Sequence, residues 1–234
     1  MDGRQSVITI IYAPTPVLRR VAAESLRATQ REFSGDARIL GVDHGAAELE
    51  AYAERHGWAT VRPDAGAPPR MGLILRMCLD RVRTRLVWII EHDAIVLPGA
   101  RRCVTGLLAG HPEAAAIDCM TVTPEGEPTY PNVYRTSRPI PHPTDPRVLR
   151  VGAQTSLNCG CWRTAALRKI DWARIPLFPA VDREISRQVL GAGWELLLAP
   201  NIECVHLHAR ARRNLPPPWH QARTAPALTA ESAL

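Results

Sequence analysis

The chain has 234 residues, of which 46% are hydrophobic and 22% charged, with a net charge of +6. This is the balance of a globular domain and excludes a disordered or low-complexity chain. No apolar run reaches the roughly 18 residues of a membrane span, and the 6 cysteines contain no CxxC pair, so neither a disulfide framework nor a zinc knot is expected.

Lys169 is the only lysine; with the abundant Ala and Pro, the arginine bias reads as GC-rich bacterial coding. No RNA-binding aromatic pattern or zinc-finger spacing accompanies the positive charge, so nucleic acid is not an expected partner. A moderate basic excess suits a small anionic substrate. The stretch Met1 to Gln5 has no signal-peptide anatomy, which gives a cytoplasmic expectation with reduced thiols.

Ser6 to Tyr12 is apolar and β-rich, and Pro14-Thr15-Pro16 ends it. Val17 to Gln30 has helical periodicity. A second strand is expected over Ala37 to Val42, a helix over Ala46 to His56, and a short strand over Trp58 to Arg62. Pro68 to Arg85 is the clearest helix, with Met71, Leu75, Cys78, Leu79 and Val82 on one face. The apolar run Leu86 to Ile90 then predicts a buried strand, Pro98 opens a further helix, and Ala114 to Val122 is a fifth strand. This strand-helix alternation predicts an α/β fold with a mostly parallel central sheet flanked by helices.

Residues 123–150 hold seven prolines and carry no period, the mark of a long functional or disordered loop. Sheet-like sequence returns over Gln154 to Cys161, followed by helices over Thr164 to Ile170 and Val181 to Gly191. Two short strands are expected over Trp194 to Leu198 and Ile202 to His206. Residues 1–208 are thus expected to form one domain, with 209–234 an Arg- and Pro-rich tail.

Glu91-His92-Asp93 closes the apolar run of the fourth strand. Alternate side chains of an extended segment point the same way, so Glu91 and Asp93 can converge. Ligands of open α/β sheets bind at the carboxyl ends of strands, and paired carboxylates there suit a divalent cation shared with phosphates.

Four segments together resemble the GT-A (Rossmann-like) glycosyltransferases, particularly those of the family 2 type, over about residues 5–208. Val42-Asp43-His44-Gly45-Ala46 resembles the family's "VDDGS" turn, and Pro69-Arg70-Met71-Gly72 its "ARNxG" segment. Glu91-His92-Asp93 stands in the place of the DxD motif, followed by the apolar Ile95-Val96-Leu97-Pro98-Gly99. Val181-Asp182-Arg183-Glu184-Ile185, Gly191-Ala192-Gly193-Trp194 and the stretch Pro200 to His206 resemble the "EDxDL", "RAGW" and "VxH" segments. Departures are Glu91 for the first Asp of DxD, Val181 for the Glu of "ED", and Met71 for the Asn of "ARN".

The resemblance implies a metal-dependent, inverting transfer of a sugar from a nucleoside-diphosphate sugar, UDP-sugars favoured, to a soluble or peripherally presented acceptor hydroxyl. Asp93, Glu91 and His206, with His208 as second choice, are then expected to hold Mn²⁺ or Mg²⁺ against the pyrophosphate. Ala13, Pro14, Thr15, Asp43, Arg70, Glu91, His92 and Asp93 would line the nucleotide-sugar pocket, with Asp43 on the base. Asp182 would be the general base; its plainer role is a helix N-cap. Tyr130, Tyr134 and Trp162 are expected on the acceptor side, and Arg210, Arg212 and Arg213 over the pyrophosphate. Cys159 and Cys161 read as packing residues. Two alternatives stay open: a nucleotidyltransferase of similar fold, against which the glycine-free Ala13-Pro14-Thr15-Pro16 counts, and a non-catalytic sugar-nucleotide or glycan binder.

Overall fold

Apolar runs buried on both faces become the middle strands of a single ten-stranded sheet. The computed structural model describes residues 4–45, 47–63, 70–129, 139–177 and 180–207. The strands are β1 (Ser6–Tyr12), β2 (Ala37–His44), β3 (Ala59–Val61), β4 (Leu86–Glu91), β5 (Ala94–Val96), β6 (Ala114–Val122), β7 (Ile140–Pro141), β8 (Leu149–Arg150), β9 (Cys159–Arg163) and β10 (Glu195–His206). The helices are α1 (Pro16–Glu32), α2 (Ala47–Arg55), α3 (Met71–Leu79), α4 (Ala100–Gly110), α5 (Thr164–Leu167) and α6 (Val181–Gly191).

The sheet order is β3-β2-β1-β4-β9-β6-β10-β8-β7, with β5 pairing β10 off this path. β3, β2, β1 and β4 are parallel neighbours. β9 is antiparallel to both β4 and β6, and β10 runs parallel to β6. The principal strands therefore share one direction, as expected, with β9 inserted against it. The chain steps outward from β1 to β3 and then returns to the other side of β1 as β4. This is a topological switch point, where the crevice at the carboxyl ends of strands takes ligands.

Alternation along the strands splits the core in two. Trp88 and Ile90 of β4 face the cluster containing Val21 and Ala28 of α1 and Val104 and Leu108 of α4. Val87 and Ile89 face the other cluster, with Ile74, Leu75 and Cys78 of α3 and Ile185 and Val189 of α6. Leu49 and Ala53 of α2 pack with Ala22 and Leu26 of α1 in a third group. All six cysteines are free thiols, and burial pushes Cys78 up to about 12, so they behave as small apolar residues.

Several elements differ from the sequence-based expectation: β5, β7 and β8 are additional strands, and α5 stops at Leu167 rather than Ile170. α3 ends at Leu79, where the Arg81 and Val82 N–H groups donate hydrogen bonds back to the Cys78 and Leu79 carbonyls in a tighter turn; Val82 still reaches the core, but from a turn. The sheet-like stretch from Gln154 becomes strand only at Cys159. The two expected final strands are one, β10, which absorbs a register shift against β6 between Ala199 and Glu203. Among the described residues no helix is long and apolar enough to cross a membrane. The tail from 209, with Arg210, Arg212 and Arg213, lies outside the described residues, as do His208, Tyr130, Tyr134, Ala46 and Pro69.

Candidate active site

The turn between β4 and β5 carries Glu91, His92 and Asp93, and four hydrogen bonds fix it. The Ser25 hydroxyl of α1 approaches the carbonyls of Glu91 at 3.1 Å and Ala94 at 2.7 Å. The Glu91 N–H donates to the Asn158 carbonyl at 3.0 Å, and the Leu207 N–H to the Asp93 carbonyl at 2.8 Å. β10 pairs antiparallel to β5, with His206 opposite Ala94. Backbone pairing thus delivers a distant histidine to the acidic turn.

Asp93 Oδ1 lies 3.3 Å from His206 Nε2, with both side chains at most 5% exposed. One ligand atom from each of Glu91, Asp93 and His206 falls within 4.8 Å of the others. Ligand atoms at about 2.1 Å from a six-coordinate ion stand about 3 Å apart, so the spacing and the donor set fit a divalent cation. A buried carboxylate is costly without such a partner or a protonated imidazole.

The expected nucleotide-side residues gather on the neighbouring strand ends. Ala13 is buried and its N–H donates to the His44 carbonyl at 2.8 Å, while Pro14 and Thr15 are exposed. Thr15 caps α1, accepting from the Leu18 N–H at 3.3 Å. Asp43 Oδ2 accepts the Arg70 N–H at 3.0 Å, joining the end of β2 to the start of α3. Its Oδ1 lies 3.6 Å from His44 Nδ1. Tyr12 stands edge-on to His44, centroids 5.0 Å apart, and to His92 at 6.4 Å. Asp43, Arg70, His92 and the Ala13 to Thr15 turn are thereby linked along one rim.

Asp182 is the second residue of α6, so it is not the N-cap. That position belongs to Ala180, which makes no side-chain cap bond and has φ 69°, a left-handed value rare outside glycine. The Asp182 carboxylate accepts from Gln154 Nε2 at 2.6 Å and from the Arg183 N–H at 2.8 Å. Glu184, two residues on, pairs with Arg187 (Nε to Oε2 2.8 Å), and that hydrogen bond holds its carboxyl down at about 2. Glu184 is therefore a poor proton acceptor at neutral pH.

Sequence reasoning missed Asp118. This β6 residue is 2% exposed and sits opposite Gly160 of β9. Burial pushes its carboxyl well above the ordinary carboxylate range, and the charge of Asp182 pushes the same way. The Thr155 hydroxyl and Ser156 N–H lean toward it, without ordinary hydrogen-bond geometry. An acid inside the apolar run Ala114 to Val122 was the available signal. Gln154 gave no such signal.

Trp162 corrects an expectation. It is fully buried, pairs with Val87 and Ala116, and packs in the core with Ile170 and Ile185. Its ring is covered by the sheet and helices, so it has no face to offer an acceptor.

No protein-family model matches the sequence, and no curated protein matches it. Solved structures do match. GalNAc-T7 with UDP, GalNAc and Mn²⁺ superposes with a TM-score of 0.59 at 12% identity, over 87% of this chain and 43% of that one. The mannosyltransferase PcManGT from Pyrobaculum calidifontis, in complex with GDP-Man and Mn²⁺, gives 0.61 at 15% identity, over 89% and 58%. TarS of S. aureus gives 0.61 at 11% identity, over 87% and 36%. The chain thus spans between 36% and 58% of these structures' lengths. The architecture they share with it is the GT-A fold.

Proposed function

We propose that this chain is a metal-dependent, inverting glycosyltransferase that moves a sugar from a nucleoside-diphosphate sugar to an acceptor hydroxyl. The observation that carries the reading is the Glu91, Asp93 and His206 group at the topological switch point of a GT-A fold. UDP-sugars are the preferred donor class and a soluble or peripherally presented molecule the acceptor, with residues 1–208 as the catalytic domain acting in the cytoplasm.

Asp93, His206 and Glu91 would hold Mn²⁺ or Mg²⁺, which when bound supplies charge neutralisation to the departing diphosphate. Asp43 Oδ2 is taken by the Arg70 N–H, which aims the carboxylate; Oδ1, beside His44 Nδ1 at 3.6 Å, would accept the imide N–H of a uracil. The Ala13 to Thr15 turn and His92 would wall the base and ribose, and Arg70 would reach the phosphates.

Gln154 and the Arg183 N–H orient Asp182, which would take the acceptor's proton. The acceptor oxygen bonds to the anomeric carbon while the bond from that carbon to the phosphate oxygen breaks. The bonding pair leaves with the nucleoside diphosphate and the configuration inverts. Tyr130 and Tyr134 remain the proposed acceptor-side rings.

The test is a thermal-shift panel of UDP- and GDP-sugars with Mn²⁺, followed by turnover on the donors that bind. Donor at 100 times its dissociation constant stabilises by about 2.7 kcal/mol. A UDP-sugar that shifts melting and is consumed only with metal supports the reading. Absence of any shift or turnover across the panel overturns it. Binding without turnover returns the non-catalytic binder, and release of pyrophosphate from a nucleoside triphosphate and a sugar phosphate returns the nucleotidyltransferase.

A further inference from the structure

A second cluster of histidine and carboxylate side chains lies at the amino ends of the parallel strands, the opposite end of the sheet from Asp93. His111 and Glu113 occupy the corner between α4 and β6. His142 follows β7, and Glu195 begins β10. The His111 and His142 side chains are 5% and 8% exposed, and their rings stand edge-on with centroids 4.7 Å apart.

We propose that His111, Glu113 and His142 form a second divalent-metal site, of zinc type, that fastens the returning end of the proline-rich loop to the sheet. One ligand atom of each lies within 4.8 Å of the others. His111 Nδ1 is 2.9 Å from Glu113 Oε1, and His142 Nε2 is 3.8 Å from the same oxygen. Tetrahedral zinc with ligands at about 2.0–2.1 Å sets neighbouring ligand atoms about 3.3 Å apart, a spacing these distances bracket. Glu195 Oε2, 3.5 Å from His142 Nε2, stands beside the fourth position. It is buried and makes no hydrogen bond among the described residues.

The outer contacts are those that orient metal-bound imidazoles. His111 Nε2 faces Asp145 Oδ2 at 3.1 Å, so the nitrogen turned away from the cluster has a carboxylate for its proton. That carboxylate is gripped by Arg147, with Nε to Oδ1 and Nη2 to Oδ2 both 2.9 Å. His142 Nδ1 lies 3.2 Å from the Thr144 hydroxyl, the partner for its proton when Nε2 is given to a metal; in the metal-free geometry the Thr144 N–H donates to the same nitrogen at 3.4 Å. His111 therefore has a carboxylate for its outward N–H, His142 has the Thr144 hydroxyl beside its outward nitrogen, and each ring directs its other nitrogen at Glu113. Two imidazoles with carboxylate suit zinc over Mg²⁺. The site joins residues 111–113 to the 139–150 segment, whose β8 is itself paired to β10. It does not depend on the nucleotide-sugar reading.

The experiment uses the full chain, stripped by chelator and dialysed against Zn²⁺, with bound metal counted by mass spectrometry and melting followed in parallel. The Asp93→Asn variant isolates this site from the first. It is expected to retain one zinc and to melt higher with Zn²⁺ than without. Adding Glu113→Gln, at a side chain 40% exposed and so tolerant of change, should remove both effects. Asp145→Asn should weaken zinc binding by about 10–100-fold, which a purely packing role would not do. Equal zinc content in Asp93→Asn with and without Glu113→Gln overturns the proposal. So does a melting temperature of Asp93→Asn that Zn²⁺ leaves unchanged.

Discussion

Gln154 Nε2 donates to Asp182 Oδ2 at 2.6 Å, across the gap between the loop before β9 and the first turn of α6. The bond fixes the carboxylate's direction without burying it. Because Ala180 holds the N-cap position, Asp182→Asn removes no cap and should leave the melting temperature within about a degree or two, the ordinary result for a half-exposed position. As the proposed proton acceptor, it should cost roughly 10²–10⁴-fold in kcat with donor affinity kept. A variant that melts early yet turns over normally would leave Asp182 a structural residue.

Asp93 is buried beside His206, so truncating it would strand an imidazole. Asp93→Asn keeps the volume and removes the charge a cation needs. Mn²⁺ should no longer stimulate sugar transfer in this variant, and chelation should silence the wild type. A Mn²⁺ titration of the rate checks both, and full activity of Asp93→Asn in EDTA would remove the metal assignment.

Asp118 sets a pH dependence with a definite sign. Its folded-state carboxyl is raised well above the ordinary value, so between the unfolded and folded values the native state binds the extra proton. Stability from this group is therefore lost as pH rises above about 4. Asp118→Asn removes that loss while mimicking the protonated acid. The melting temperature of the variant relative to wild type should climb as pH is raised from 4 to 8. A difference that stays flat over this range would show that Asp118 is not held neutral.

Two glycines give opposite expectations. A Cβ on Gly160 would collide with Asp118 Oδ1 and press on the Ile117 carbonyl at 3.3 Å; Gly160→Ala should cost about 1–3 kcal/mol. A Cβ on Gly106, inside α4, meets nothing within 4 Å, so Gly106→Ala should stabilise by about 0.5–1 kcal/mol. Urea denaturation of both variants reads the contrast, and equal effects at the two positions would contradict it.

Much of the layout was legible because period and burial agree. Val181 to Gly191 and Ala114 to Val122 form as expected to the residue, since each carries a full apolar stripe or run. The acidic turn was legible from two acids closing a buried strand, and its histidine from the family resemblance. What the sequence concealed depended on tertiary contact. The antiparallel insertion of β9 leaves no local trace, and it is what buries Trp162 on both sides. Asp43 gave no hint of its bond to the Arg70 N–H, which joins segments far apart in the chain. The clustering of His111 with His142 was equally hidden, since the loop that separates them has no period.

The register shift in β10 governs which way a side chain looks. Ala199 pairs with Cys119 and Glu203 with the very next residue, Met120, so Pro200, Asn201 and Ile202 are spare length against β6. That slack acts as a spacer between the half of the strand that completes the sheet and the half that brings His206 to Ala94. Side chains of an extended strand change face with each residue. Shortening the spacer by a single residue while holding the first half in register would turn the histidine away from Asp93 and leave the sheet nearly whole. Tolerance to insertion and deletion here should thus run in steps of two, an arithmetic imposed by the pleat.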